Sequence, residues 1–91
     1  MTSKERAKLR GMASTMDTML QIGKDGISES VINSANELFN TRELIKCKVL
    51  ENSILTAREA CDELSAAVNA EQIQVIGSKF VLYKKAEKKK S

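Results

Sequence analysis

The 91-residue chain contains no histidine, no tryptophan and no proline, and only three aromatic residues, Phe39, Phe80 and Tyr83. Each absence excludes a kind of chemistry. Without histidine there is no Ser-His or Cys-His nucleophile pair, no imidazole acid–base and no zinc site of the usual histidine-containing kinds. So few aromatics argue against a stacking platform for unpaired bases. The longest apolar run is Phe80 to Tyr83, far short of a membrane span. The first twenty residues carry Lys4, Glu5, Arg6, Lys8, Arg10 and Asp17, which leaves no signal-peptide core. Cys47 and Cys61 are too few for a disulfide framework and do not form a C-x-x-C pair. Both stand where apolar residues are wanted, so they are expected as buried free thiols in a reducing compartment, and the protein as cytoplasmic.

What is present fits one small domain, expected over residues 1–85, with a charged tail at 86–91 that has nothing to bury. Thr2 and Glu5 have the spacing of a capping box, and Leu9, Met12, Ala13 and Met16 recur on one helical face, which predicts a helix over about Lys4–Thr15. Arg6 and Arg10 fall on one flank of it, Lys4 and Lys8 on the other. Met19–Ile22 suits a short strand. A second helix is predicted over Glu29–Thr41, with Ser28 as N-cap, Ile27 and Ile32 as a hydrophobic staple, and Val31, Ile32, Ala35, Leu38 and Phe39 facing the core.

Glu43–Glu51 alternates as a strand, with Ile45, Cys47 and Val49 facing one way and Lys46 and Lys48 the other. Thr56 and Glu59 form a second capping box for a third helix with Ala57, Ala60, Cys61, Leu64 and Ala67/Val68 inward. Gln72–Ile76 and Lys79–Lys84 read as two strands joined at Gly77-Ser78 by a type II′ turn. The order is α-β-α-β-α-β-β. The fold class is therefore α/β, a four-stranded mixed sheet with its helices expected on one face.

The net charge of +3 conceals a division along the chain. Residues 1–10 carry +3, 11–50 carry −1, 51–78 carry −4 and 79–91 carry +5. If the two ends meet, they form a basic face suited to a polyanion such as nucleic acid. The turn Gly23-Lys24-Asp25-Gly26 closes a strand and opens a helix. Glycines there permit positive φ and close approach of another backbone, and the amides of the following helix favour an anion. Lys24 adds a positive charge and Asp25 partly opposes it. The turn lacks the Walker spacing.

Gln21-Ile22-Gly23-Lys24 and Gly26 sit in a longer pattern. It includes Lys4, Arg6, Leu9, Arg10 and Ala13, then Arg42-Glu43-Leu44-Ile45-Lys46 with Lys48-Val49, then Gln74-Val75-Ile76-Gly77 and Val81-Leu82-Tyr83. Over about residues 2–85 this pattern resembles the YhbY family, the bacterial stand-alone form of the CRM (chloroplast splicing and ribosome maturation) domain. The resemblance implies an RNA-binding domain similar in fold to the C-terminal domain of translation initiation factor three. It also implies ribosomal RNA of the large-subunit precursor as partner, and a Gly-x-x-Gly loop at Gly23–Gly26 likened to that of KH domains. Thr18, Ser14 and Lys84-Lys85 depart from the family's usual Pro, His and Arg-Pro.

On this reading Gly23, Lys24, Asp25 and Gly26 form the phosphate-facing loop. Lys4, Arg6 and Arg10 extend the footprint, and Lys46 and Lys84 join it, with Lys48 and Lys79 depending on which sheet face is open. Lys46 and Lys48 have a competing role as solvent-face lysines that discourage strand pairing. True KH recognition of single strands fits less well, because the segment before the loop is strand-like and Glu29 takes the place of an apolar residue. No cofactor, metal, membrane or small-molecule substrate is expected, nor catalysis, and the protein is expected to be a monomer. The alternative is an adaptor that docks on a ribosomal protein or assembly factor through the acidic third helix.

Overall fold

The computed structural model describes residues 2–85; the tail expected at 86–91 lies outside the described residues. Seven elements follow in the expected order: α1 (Ser3–Ala13), β1 (Leu20–Ile22), α2 (Glu29–Thr41), β2 (Leu44–Val49), α3 (Ala57–Val68), β3 (Glu71–Ile76) and β4 (Lys79–Tyr83). Local chemistry sets their ends. Both capping boxes form, Thr2 with Glu5 and Thr56 with Glu59, and the Ser28 hydroxyl accepts from the Val31 amide. Each cap satisfies amides that the first helical turn cannot, a gain of about 1 kcal/mol. At its other end α3 stops at Asn69, which takes the left-handed conformation at φ 57°. In the β3–β4 hairpin Gly77 has φ 58° and Ser78 does not share it, as a type II′ turn requires.

The sheet order is β1-β2-β4-β3. β1 and β2 are parallel, while β4 runs antiparallel to both its neighbours. β4 therefore returns between β2 and β3, and the crossover through α3 skips one strand.

The helices do not share a face. Strand alternation puts Ile45, Cys47 and Val49 of β2 and Phe80 and Leu82 of β4 on one side. These pack with Ile22, Ala35, Ala60, Cys61, Leu64 and Val68 beneath α2 and α3. On the other side Leu44, Ile73 and Val81 pack with Ala13, Leu9 and Met16 of α1 and its exit. The expectation of one-sided helices is corrected to two sides, because Leu44 and Val81 give the second face an apolar strip that needs cover. The apolar face predicted for α3 also shifts slightly: Ala67 is exposed, and Ser65 is buried in its place. The Ser65 hydroxyl donates to the Asp62 carbonyl and accepts from Gln72.

The outer strand β3 carries a bulge between Gln72 and Gln74. Arg6 donates a guanidinium hydrogen bond to the Gln72 carbonyl there. A bulge and an occupied carbonyl both blunt an edge strand against further pairing.

Candidate nucleic-acid interface

The turn at Gly23–Gly26 is closed by a hydrogen bond from the Gly26 amide to the Gly23 carbonyl at 3.0 Å. Lys24 and Asp25 at its tip are exposed. The two glycines do different things. Gly26 has φ 65° and is buried, and a Cβ there would lie 3.3 Å from Leu55 Cδ1 and 3.7 Å from Ile54. Its missing side chain makes room for the protein's own Ile54-Leu55 segment, which leads into α3. At Gly23 the φ is ordinary and a Cβ would meet Leu50 and Asn52 only at 3.8 and 3.9 Å. The backbone open to a ligand is therefore that of Gly23, Lys24 and Asp25.

α1 crosses the sheet from β3 to β2, and its two flanks meet different surroundings. Glu5 borders Glu71, Tyr83 and Lys85, and Met12 borders Glu43, Leu44 and Tyr83. Partial removal from water, together with the carboxylates of Glu43, Glu5 and Glu71, raises the Tyr83 hydroxyl above its ordinary pKa. This end of the sheet gathers three carboxylates, with Arg42 and Lys85 beside them. The opposite flank carries Arg6, beside Gln72, Ile73, Gln74 and Val75, and Arg10 one turn further on. That flank looks toward the end of the sheet where the Gly23–Gly26 turn and the Gly77–Ser78 hairpin lie. Lys4 points away from the sheet on the outer side of α1, and Lys8 falls on the Glu5 side.

Lys46 has a structural role that spacing did not reveal. Its ammonium donates to the Ala13 carbonyl at 3.1 Å and to the Met16 carbonyl at 3.3 Å. It caps the C-terminus of α1, where the helix dipole favours a cation. Neither a solvent-face lysine nor a free phosphate contact describes it. Lys84 sits at the other end of β4 from the turn, with its amide bonded to the Glu43 carbonyl at 2.8 Å. The structure thus brings Arg6, Arg10 and the Gly23–Gly26 turn toward one half of one face, and leaves Lys4, Lys46 and Lys84 elsewhere or occupied.

The remaining chemistry is quiet. Burial pushes the Cys47 thiol up to about 12, helped by Cys61, and the Cys61 thiol up to about 11, helped by Asp62 and opposed by Arg58. Both are free, buried and neutral at pH 7, which makes them core residues rather than nucleophiles. Among the described residues no group of three His, Cys, Asp or Glu is placed to hold a metal, and no helix is long and apolar enough to cross a membrane. The carboxylates of α3 are largely engaged in its own fold: Glu59 closes the capping box and Asp62 accepts from Gln72 at 2.7 Å.

Comparison with known proteins adds an independent line. Residues 1–84 match the profile of the CRS1/YhbY (CRM) domain. The chain is 31% identical over 90 residues to the probable RNA-binding protein YqeI of Bacillus subtilis, covering 99% of this chain and 94% of that one. Over 80 residues, 88% of this chain, it is 30% identical to the chloroplast CRM-domain containing factor CFM2 of Arabidopsis thaliana, of which it spans 8%. The solution structure of a hypothetical Staphylococcus aureus protein, put forward as RNA-binding, superposes with a TM-score of 0.81 at 39% identity, covering 99% of this chain and 94% of that one.

Proposed function

The chain belongs to the CRS1/YhbY (CRM) domain family, and from that premise we propose that it binds structured ribosomal RNA mainly through the phosphate backbone, in assembly of the large ribosomal subunit. The observation that carries the mode of binding is the convergence of the Gly23–Gly26 turn and the Arg6/Arg10 flank of α1 on one half of one sheet face. The turn at Gly23–Asp25 and Lys24 would take a phosphate, and Arg10 a second one along the helix. Arg6 spends one nitrogen on the Gln72 carbonyl and keeps the other donors of its guanidinium for the ligand. The scarcity of aromatics suits reading of shape and phosphate over splayed bases. The assignment to the large subunit rests on the family resemblance. On this reading the protein works in the cytoplasm as a monomer, with no cofactor and no catalytic step.

Two measurements test it. Titration of a large-subunit ribosomal RNA transcript should give affinity that falls by roughly 0.7–0.9 log units per log unit of salt for each phosphate neutralised. Lys24→Ala and Arg10→Ala should each weaken it and flatten that slope. Undiminished affinity in both variants would remove the proposed site. Crosslinking in cells followed by sequencing should enrich precursors of the large-subunit RNA; a spread over unrelated messages would overturn the assembly role and leave RNA binding intact. Docking through α3 has no comparable support, since two of its three carboxylates already serve the fold.

A further inference from the structure

The half of the α1 face that α1 leaves uncovered is crossed by one row of side chains. Pairing registers place Gln21 of β1 beside Lys48 of β2, Lys48 beside Lys79 of β4, and Lys79 beside Ile76 of β3. Two cations are therefore immediate cross-strand neighbours. Their spacing is the shorter of the two kinds that an antiparallel pair offers. The Val49 amide bonds to the Ser78 carbonyl at 2.7 Å and the Lys84 amide to the Glu43 carbonyl at 2.8 Å, so the hydrogen-bonded pairs fall on the odd residues of β2. Lys48 and Lys79 form a non-hydrogen-bonded pair, in which Cα atoms approach to about 4.5 Å and side chains lie closest.

Like charges in that position destabilise a sheet. Neither lysine has a hydrogen-bond or ion-pair partner among the described residues. The row itself holds no carboxylate. Glu51 shares with Lys48 the cleft of about 550 Å³ beyond the sheet end, and Asp25 lies in the neighbouring turn, but neither pairs with Lys48 or Lys79. Ile76 at the end of the row is 60% exposed, so no described residue covers this half of the face.

We infer that Lys48 and Lys79 form a two-lysine clamp for RNA phosphate on the open half-sheet, between the Gly23–Gly26 turn and the Arg6/Arg10 flank of α1. The inference rests on the RNA-binding reading above and gives it a second anchoring point. Charge complementarity selects the occupant: two unpaired ammonium groups held together across strands suit an anion that bridges them. A phosphate would turn their repulsion into attraction. The same pair that weakens the free protein would then strengthen the complex.

The test uses the whole chain and a large-subunit ribosomal RNA transcript as probe. Lys48→Gln, Lys79→Gln and the double variant are compared with Lys8→Gln, which removes an equal charge from the far flank of α1. Each single substitution in the row should weaken binding by about threefold to tenfold more than Lys8→Gln and flatten the salt slope by about 0.7–0.9. The double variant should lose less than the product of the two, because both lysines serve one phosphate. In the absence of RNA each single variant should melt about 1–5 °C higher than wild type at low salt, a gain that shrinks as salt is added. Wild-type binding with affinities in the row variants equal to that of Lys8→Gln would overturn the clamp and leave RNA binding in place. A wild-type protein that does not bind the transcript would overturn the RNA reading and the clamp together. A melting temperature lowered by either substitution would show that the lysines serve the fold, and would also overturn it.

Discussion

The sheet face beneath α1 has two halves built from the same strands, and they differ in cover and in charge. One half, with Leu44, Val81 and Ile73, lies under Ala13, Leu9 and Met16 and borders Glu5, Glu43 and Glu71 around Tyr83. The other half, with Lys48, Lys79 and Gln21, has no helix above it among the described residues and adjoins the Gly23–Gly26 turn. The covered half supplies stability, since buried apolar area is what holds α1 in place. The open half carries unpaired cations that weaken the fold slightly. A small domain cannot do both in one place, and this one divides the tasks along each strand.

Six substitutions can break or sharpen that contrast. The largest effect is expected at Leu44, 6% exposed under α1: Leu44→Ala should lower unfolding free energy by about 2–4 kcal/mol in urea titration. In the open half, Ile76→Ala should change it by less than about 0.5 kcal/mol. Next is Lys46, which belongs to the covered half by function. Lys46→Met removes the cap of α1 and should cost about 1–2 kcal/mol, with the salt slope of RNA binding unchanged. An altered slope would move Lys46 into the interface.

Gly26→Ala should cost a similar 1–2 kcal/mol because of its left-handed φ and the crowding by Leu55. Gly23→Ala, free of both, should fold normally by calorimetry. If it nonetheless weakens RNA binding, close approach of phosphate to the turn is established. The smallest effect is expected from Lys84→Gln at the far end of β4, which should weaken RNA binding no more than Lys8→Gln does. A larger loss would extend the footprint over both halves.

Much of this architecture was legible in the chain because it is written in short-range patterns. Capping boxes at Thr2/Glu5 and Thr56/Glu59, the Ser28 cap and the Gly77-Ser78 turn each depend on neighbours within a few residues, and each formed as spaced. The family pattern added RNA as the partner class to expect, and residues 1–84 match that family. Missed was a graded strand pattern: Leu44, Lys46, Lys48 in β2 and Lys79, Val81, Tyr83 in β4 pass from apolar to charged on a single face. Read as alternation alone, it gave one wet face. Read along the strand, it announces a helix over one half.

By itself the sequence determined the order of elements, the caps and turns that bound them, the exclusion of histidine chemistry and a segregation of charge along the chain. Only the tertiary structure decided which charges share a surface. Segment totals placed +5 at residues 79–91, yet Lys79 lies at the open basic half while Lys84 and Lys85 lie at the opposite end, among Glu5, Glu43 and Glu71. A strand carries its two ends about 17 Å apart, beyond the screening length of physiological salt, so residues adjacent in sequence need not act on the same ligand. The register of β2 against β4 did the reverse, bringing Lys48 and Lys79 side by side from 31 residues apart.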